Sequence, residues 1–509
     1  MALAGRAGPA ASTEGARIDA ELLLLVVGGL LFVAVASAYA ASRLSVPILV
    51  AFLGIGMLLG SDGPGGIDFD NAELARDVGI IGLAIILFDG GLSAEWRQIR
   101  SVLVPALSLG TVGVFITAGV SAAAAYGLFD LSAEKSLLLG AVVGSTDAAA
   151  VFSTLRTTGL RRRPAVTLEA ESGVNDPMAV ALTLGLISII TEPHYGVADL
   201  ALLLVQQFGI GLVLGIAVGW ASSWMFARFP PELTPFAPVF VLACGAVGFG
   251  AAGVLNGSGF LAVYITGLML GDTPSPLRRQ VMNFNAGLAF LAQIILFIVL
   301  GLLVFPGELE SVIGPGLALA AVLTLVARPA AVFISTIGMG FTRGERVLLG
   351  WAGLRGAVPI VLATFALSEG IRESSTIFNA VFFVVLVSVL LQGLTLRWAT
   401  RALGLVDEAE RATEQPLEAG VVEGMGGEVI EHVARADDAI VGLPISAVRL
   451  PPRAMIAVIV RDNEVVPPRG DTQIAAGDRI FVLARAEDLG EAERAVEAWR
   501  GGDPAAARG

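Results

Sequence analysis

Apolar runs of roughly 15 to 28 residues recur from about residue 22 to residue 400, each close to the length that crosses a bilayer core as a helix. Thirteen are readable, at 22–42, 46–60, 78–92, 102–126, 136–155, 165–190, 200–227, 236–251, 257–271, 283–305, 310–337, 346–368 and 376–400. The connections between them support that count. Alternate loops hold Arg43, then Arg97 and Arg100, then Arg156 and Arg161 to Arg163, then Arg228, Arg278 and Arg279, and Arg343 and Arg346. Arg397 and Arg401 follow the last run, whereas the intervening loops hold only Arg76, Lys135 and Arg372. Because basic residues concentrate in cytoplasmic loops, this alternation expects an odd number of spans, the N-terminus outside and the C-terminus in the cytoplasm. A composition 55% hydrophobic and 15% charged, with mean hydropathy +0.80, agrees with a membrane protein.

The same composition excludes several classes. A net charge of -13, with no basic stretch interleaved with aromatics, argues against a nucleic-acid partner. Cys244 alone cannot form an internal disulfide and supplies too little for a metal site. His194 and His432 are the only histidines and both lie outside the apolar runs, as a solvated loop residue and a domain-surface residue. With no phosphate-binding loop either, the chain reads as a transporter rather than an enzyme, with no cofactor beyond the ions it carries.

Charges within the apolar runs point to function, because an ionisable group in a membrane is expensive and usually faces a partner or cavity. They are Asp89, Asp147, Glu169, Glu171, Asp176, Arg328 and Arg355. Asp147 and Asp176 stand about eleven residues into their runs, too deep for a short carboxylate to snorkel. Glycine, Ser145 and Thr146 precede Asp147, and Gly353 to Pro359 flank Arg355, so both helices are expected to break near mid-membrane. Two interrupted helices in opposite halves suggest inverted repeats around a central site. In the run containing Asp176, Glu171 and Asn175 stand one turn apart, as do Ser172 and Asp176. Asp176 is therefore expected to meet the ion, Ser172 to add an oxygen, and Asn175 to bond to Asp147 or to the broken backbone. Glu171 needs a cation, with Arg328 the first choice and Arg355 the second.

Burial disfavours the charged form of a carboxylate and a bound cation restores it, so one oxygen site holds a proton or a monovalent cation but not both. That competition suffices for one-for-one exchange. With asparagine rather than a second acid at position 175, the exchange is expected to be electroneutral.

The strings Gly144-Ser145-Thr146-Asp147-Ala148-Ala149-Ala150, Leu168 to Val180 with Glu171-Ser172-Gly173-Val174-Asn175-Asp176-Pro177 at its centre, and Gly353-Leu354-Arg355-Gly356-Ala357-Val358-Pro359 resemble the monovalent cation:proton antiporter-1 family over residues 20 to 400, particularly bacterial potassium/proton antiporters of the sodium-proton antiporter P type. The resemblance implies alternate cation and proton binding at Asp176, with Asn175 beside it marking an electroneutral exchanger. It implies ligand roles for Thr146, Ser172 and Asp89, and a structural pair between Glu171 and a membrane arginine. It also implies a homodimer with a rocking, ion-carrying core, in contact with membrane lipids. The region from 427 to 486, through Leu443-Pro444, Ala457 to Arg461, Pro468 to Thr472 and Ala476 to Ile480, resembles the C-terminal domain of potassium-uptake regulators. That likeness implies a cytoplasmic regulatory unit that dimerises and binds a small molecule such as a cyclic dinucleotide, and it favours K⁺ over Na⁺.

The expected architecture is an all-α polytopic membrane protein of about thirteen spans plus a small cytoplasmic α+β domain, placed in a bacterial inner membrane. Residues 1–20 form a tail, 21–401 the transmembrane domain, 402–425 a linker, 426–500 the regulatory domain and 501–509 a second tail. Strands are expected at Gly427 to Val433, Ala454 to Val460, Val465-Val466 and Arg479 to Ala484, and a helix from Glu487 to Trp499. A Na⁺-selective exchanger and, further off, a ligand-gated cation channel are the alternatives. Single-channel currents would select the channel.

Overall fold

The computed structural model describes residues 20–44, 48–147, 151, 160–406, 427–435, 437–461, 464–485 and 488–499. The expected tails, most of the linker and the second half of the run at 136–155 fall outside these residues. The helices are α1 (Ala20–Leu44), α2 (Ile48–Leu59), α3 (Ala72–Ser93), α4 (Trp96–Ser108), α5 (Val114–Leu128), α6 (Ala133–Val142), α7 (Arg162–Thr191), α8 (Val197–Phe226), α9 (Ala237–Val254), α10 (Gly259–Gly271), α11 (Arg278–Leu302), α12 (Ile313–Val322), α13 (Arg328–Ser335), α14 (Arg343–Trp351), α15 (Ala357–Ser368) and α16 (Ser374–Ala402). Every one of the thirteen apolar runs contains helix.

Among the described residues, seven continuous helices are long and apolar enough to cross a membrane, and four shorter apolar helices accompany them. The two runs outside both groups have physical reasons. The first half of α3 carries Glu73, Arg76 and Asp77, and α6 stops at Val142, after which the chain extends to Asp147. The second expected break is also present, as a non-helical stretch between α14 and α15.

Two further departures from a plain helix were not expected. Single π-helical turns at Leu109–Gly113 and Leu323–Ala327 interrupt the α4–α5 and α12–α13 helices. Such turns add one residue to the helical circuit and recur at functional sites. The first places Gly110 against Val174 and Asn175 of α7, where a Cβ would come within 2.7 Å of the Val174 side chain. The second immediately precedes Arg328, which opens α13.

Close helix crossings rest on backbone contact. Helix α2 crosses α11 where a Cβ on Gly56 would lie 2.3 Å from the Ile298 carbonyl oxygen, and one on Gly301 would lie 2.4 Å from that of Leu53. Without a hydrophobic drive between helices in lipid, small residues that admit such approach supply the packing. Of the neighbouring glycines on α2, Gly56 makes this contact, whereas Gly54 faces open space.

The C-terminal unit is a four-stranded antiparallel sheet in the order β1-β4-β2-β3, from β1 (Gly427–Val433), β2 (Ala454–Arg461), β3 (Glu464–Val466) and β4 (Arg479–Arg485), followed by α17 (Leu489–Trp499). Its strands match the expected ones to within a residue, and its core joins Ile456, Ile459, Ile480 and Val482 to Trp499. His432 corrects the expectation of a surface residue. It is buried, its Nε2 lies 2.8 Å from Asp438 Oδ2, and its ring meets Trp499 edge-on. Its strand face, shared with Ile430, packs on the core, and Trp499 of α17 lies against the ring.

Gly301→Val is expected to cost ~1–3 kcal/mol through overpacking. The check is a lowered thermal midpoint of the purified protein in detergent, with Gly54→Val as the neutral comparison.

Candidate ion-exchange site

The two breaks lie against each other. In the first, the chain leaves α6 through a turn at Val143-Gly144 and continues without helix through Ser145 and Thr146 to Asp147, whose backbone N–H donates to the Leu354 carbonyl at 2.8 Å. That main-chain bond ties the first break to the second. Arg355 then reaches back and donates to the Gly144 carbonyl at 2.8 Å and to the Ser145 carbonyl. These carbonyls follow the C-terminal end of α6, where positive charge is favoured. Asp147 lies in the reverse position. A Cβ on Gly356 would fall 1.7 Å from Asp147 Oδ2, so the carboxylate abuts the N-cap of α15, where negative charge is favoured. Only glycine admits this approach at position 356.

Helix α7 presents its polar face to the first break. Asp176 is buried, and its carboxylate accepts from the Ser145 hydroxyl at 2.7 Å and the Ser172 hydroxyl at 3.3 Å. Ser172 also lies 3.3 Å from the Thr146 carbonyl oxygen. Asn175 Nδ2 donates to the Thr146 hydroxyl, and its Oδ1 is buried without a hydrogen-bond partner among the described residues. Asn175 was expected to meet Asp147 or the broken backbone; it meets a side chain of that break instead. Pro177 has no N–H, which removes the helical partner of the Gly173 carbonyl one turn earlier. The result is a compact group of oxygens, with carboxylate, hydroxyl, carbonyl and amide contributions, of the kind that suits hard cations.

Glu171 faces away from this group. Arg328 meets it with both guanidinium nitrogens, Nη2 donating to Oε2 at 2.8 Å and Nη1 to Oε1, and both residues are buried. Arg355, the second choice, is not part of that pair, because the carbonyls of the first break occupy it. Asp147 is near enough to act on Asp176 by charge, but its carboxylate sits at Gly356. Asp89 is half-buried on α3, and no hydrogen bond or ion pair joins it to Asp176 among the described residues. Ser145 is the contact that sequence reasoning missed. It marks the expected break before Asp147, yet nothing in its spacing from Asp176 shows that the two meet. Among the described residues no group of three or more His, Cys, Asp or Glu could hold a metal ion.

Interrupted helices crossing at a buried carboxylate define a secondary transporter that loads an ion in mid-membrane. The chain belongs to the sodium/hydrogen exchanger family, whose transmembrane description matches residues 30–402, and a TrkA-C domain matches residues 429–496. It is therefore a secondary active monovalent cation/proton antiporter of the cation:proton antiporter-1 type, a multi-pass bacterial inner-membrane protein and not an enzyme. It is 40% identical over 481 residues to the K(+)/H(+) antiporter NhaP2 of Shewanella sp. strain ANA-3, covering 93% of this chain and 83% of that one. It is 38% identical to the K(+)/H(+) antiporter NhaP of Alkalimonas amylolytica, covering 92% and 82%. The Na(+)/H(+) antiporter ApNhaP of Aphanothece halophytica is 29% identical, with 79% of each chain covered. Among solved structures, the sodium proton antiporter MjNhaP1 of Methanocaldococcus jannaschii shares the fold at a TM-score of 0.63 and 24% identity, covering 73% of this chain and 99% of its own.

Glu171→Ala is expected to destabilise the protein by ~3–5 kcal/mol by stranding the buried Arg328 charge. Combined Glu171→Leu and Arg328→Met should recover most of that loss. Thermal midpoints of the three proteins in detergent give the comparison.

Proposed function

We propose that the chain exchanges K⁺ for H⁺ with one-to-one stoichiometry at Asp176. The observation that carries this is the solitary buried carboxylate held by two hydroxyl donors beside Asn175, which has no charge of its own. Loaded with a proton or with a cation, the site is neutral and can be carried across the seam between the helices. Empty, it presents a charge whose passage costs ~2.5–3.5 kcal/mol even on the mildest membrane scale. Since every 1.4 kcal/mol is tenfold in rate, the empty site crosses about a hundredfold more slowly, which couples the two fluxes.

Potassium is favoured because the relatives at 40% and 38% identity are named K(+)/H(+) antiporters, against 29% for the Na(+)/H(+) antiporter, and because a TrkA-C domain follows. Na⁺ exchange at the same carboxylate is the second reading. In the membrane, the arginine-rich loops are taken to face the cytoplasm, which puts the N-terminus outside and the C-terminal domain inside. Regulation through that domain is supported by the pair between Arg97 at the start of α4 and Glu497 of α17, 2.7 Å apart. A homodimer is proposed through the apolar face of α8, where Leu202, Val205, Val213 and Trp220 are exposed.

Proton movement in dye-loaded proteoliposomes tests the reading, with K⁺ and Na⁺ added separately and the membrane potential clamped. A saturable signal larger for K⁺, lost in Asp176→Asn and unchanged by the clamped potential, is expected. Retained exchange in Asp176→Asn would remove that carboxylate from the mechanism, and a signal that follows the potential would exclude electroneutral exchange. Proton competition also sets the pH dependence. As pH falls through the range where Asp176 protonates, the apparent KM for the cation should rise, approaching about tenfold per pH unit for a single proton. A KM independent of pH would contradict one shared site.

A further inference from the structure

An exchange path must open to each side in turn, and on the side of Asp176 toward Arg162 helix α10 packs against α7 through Tyr264 on Gly173 and, one turn further, through Leu268 in a cluster with Val166 and Ala170. Glu169, Ser172, Gly173 and Asp176 stand at i, i+3, i+4 and i+7 on α7, so they line one face over two turns. Ser172 and Asp176 belong to the ion site. Gly173 instead carries the ring of Tyr264 from α10. A Cβ at 173 would lie 2.3 Å from Tyr264 Cζ and 2.4 Å from Cε1, so the ring rests directly on the helix backbone.

Packing accounts for the ring but not for its hydroxyl. Tyr264 is 7% exposed, and its hydroxyl has no hydrogen-bond partner among the described residues. An unmet buried polar group is a standing cost, which a phenylalanine in the same seat would not carry. Glu169, one turn nearer Arg162, is half-buried and close enough to act on the phenol by charge. The ring thus stands between a half-buried carboxylate nearer the Arg162 end of α7 and the buried carboxylate that takes the ion.

The two partners in this contact sit on helices with different close neighbours. Helix α10 is fixed to α3 backbone on backbone: a Cβ on Gly91 would be 2.3 Å from the Tyr264 carbonyl oxygen, and one on Gly267 would be 2.6 Å from that of Phe88. Tyr264 therefore moves with α3, whereas Gly173 moves with α7 and the crossed breaks. A second contact of the same kind joins α3 to the broken helices, since a Cβ on Gly79 would lie 2.7 Å from Val361 of α15. Gly79 and Gly91 are twelve residues apart, about 18 Å along the axis, so the seam is closed at two separate levels.

We propose that Tyr264 is the gate on the Arg162 side of the ion site: its ring seated on Gly173 separates Glu169 from Asp176, and it must leave that seat for a cation to pass between them. The unpartnered hydroxyl weakens the seat, so that the closed state is poised to open. This rests on the reading of Asp176 as the exchanging group, but accessibility can be measured without transport and so tests the gate separately.

The experiment uses the full chain with Cys244→Ala and Asp176→Cys, and follows the rate at which a small charged methanethiosulfonate reagent modifies the new thiol. Tyr264→Ala should raise that rate about tenfold by lowering the cost of local opening. Gly173→Ala, which displaces the ring without removing it, should also raise it. Tyr264→Phe, which keeps the ring and removes the unmet hydroxyl, should lower it. Unchanged rates in the first two variants, a shift of Tyr264→Phe in the same direction as Tyr264→Ala, or equal acceleration by Phe226→Ala, a buried ring on α8 away from the seam, would each overturn the gate.

Discussion

The exchange of charged groups between the two broken helices is the constraint on which the rest of this molecule depends. Breaking a helix in a membrane exposes backbone groups, each costing several kcal/mol if left unmet. Here each break supplies the group that the other needs. Arg355, from the second, covers the Gly144 and Ser145 carbonyls of the first; Asp147, from the first, sits at the N-terminus of α15 beside Gly356. Helix α16 completes the arrangement, with the Ser388 hydroxyl accepting from the Arg355 backbone N–H at 3.1 Å and Gln392 donating to the Trp351 carbonyl at 2.9 Å. Because the breaks are satisfied in this way, the hydroxyls of Ser145 and Thr146 are left to face α7.

Helix α7 divides its charges by function. The Glu171 side is neutralised permanently by Arg328, brought into place by the π-helical turn that ends at Ala327. The Asp176 side has hydroxyl donors and, among the described residues, no ion pair, and the proposed exchange makes the cation and the proton its neutralising partners. On the proposed reading, a single helix thereby holds one carboxylate in a fixed ion pair and another that exchanges its partner. The π turn at Leu109–Gly113 serves the same helix from the opposite side by letting Gly110 pack against Val174.

Much of this is legible in the residues themselves. Charges too deep to snorkel identify Asp147 and Asp176, and glycine, serine and proline beside charge identify both breaks. What the sequence does not reveal is which groups meet across elements. Arg328 is the first choice and Arg355 the second as partner for Glu171, and only the π turn and the carbonyls after α6 settle the order. The two π turns leave no mark in hydropathy, because one added residue does not alter an apolar run. Ser145 lies thirty-one positions from Asp176, so no local spacing rule relates them. His432 reads as a surface residue because it is polar, and its burial depends on where Trp499 of α17 lies across the sheet.

The central claim is that one carboxylate binds the cation and the proton in turn, and the most direct measurement is the number of protons released when the cation binds. Calorimetric titration of the purified protein with K⁺, in buffers of differing ionisation heat and at a pH where Asp176 is protonated, gives that number. The account expects one proton released per K⁺ bound, and neither binding nor release in Asp176→Asn. Saturable K⁺ binding without proton release, or binding undiminished in Asp176→Asn, would contradict it.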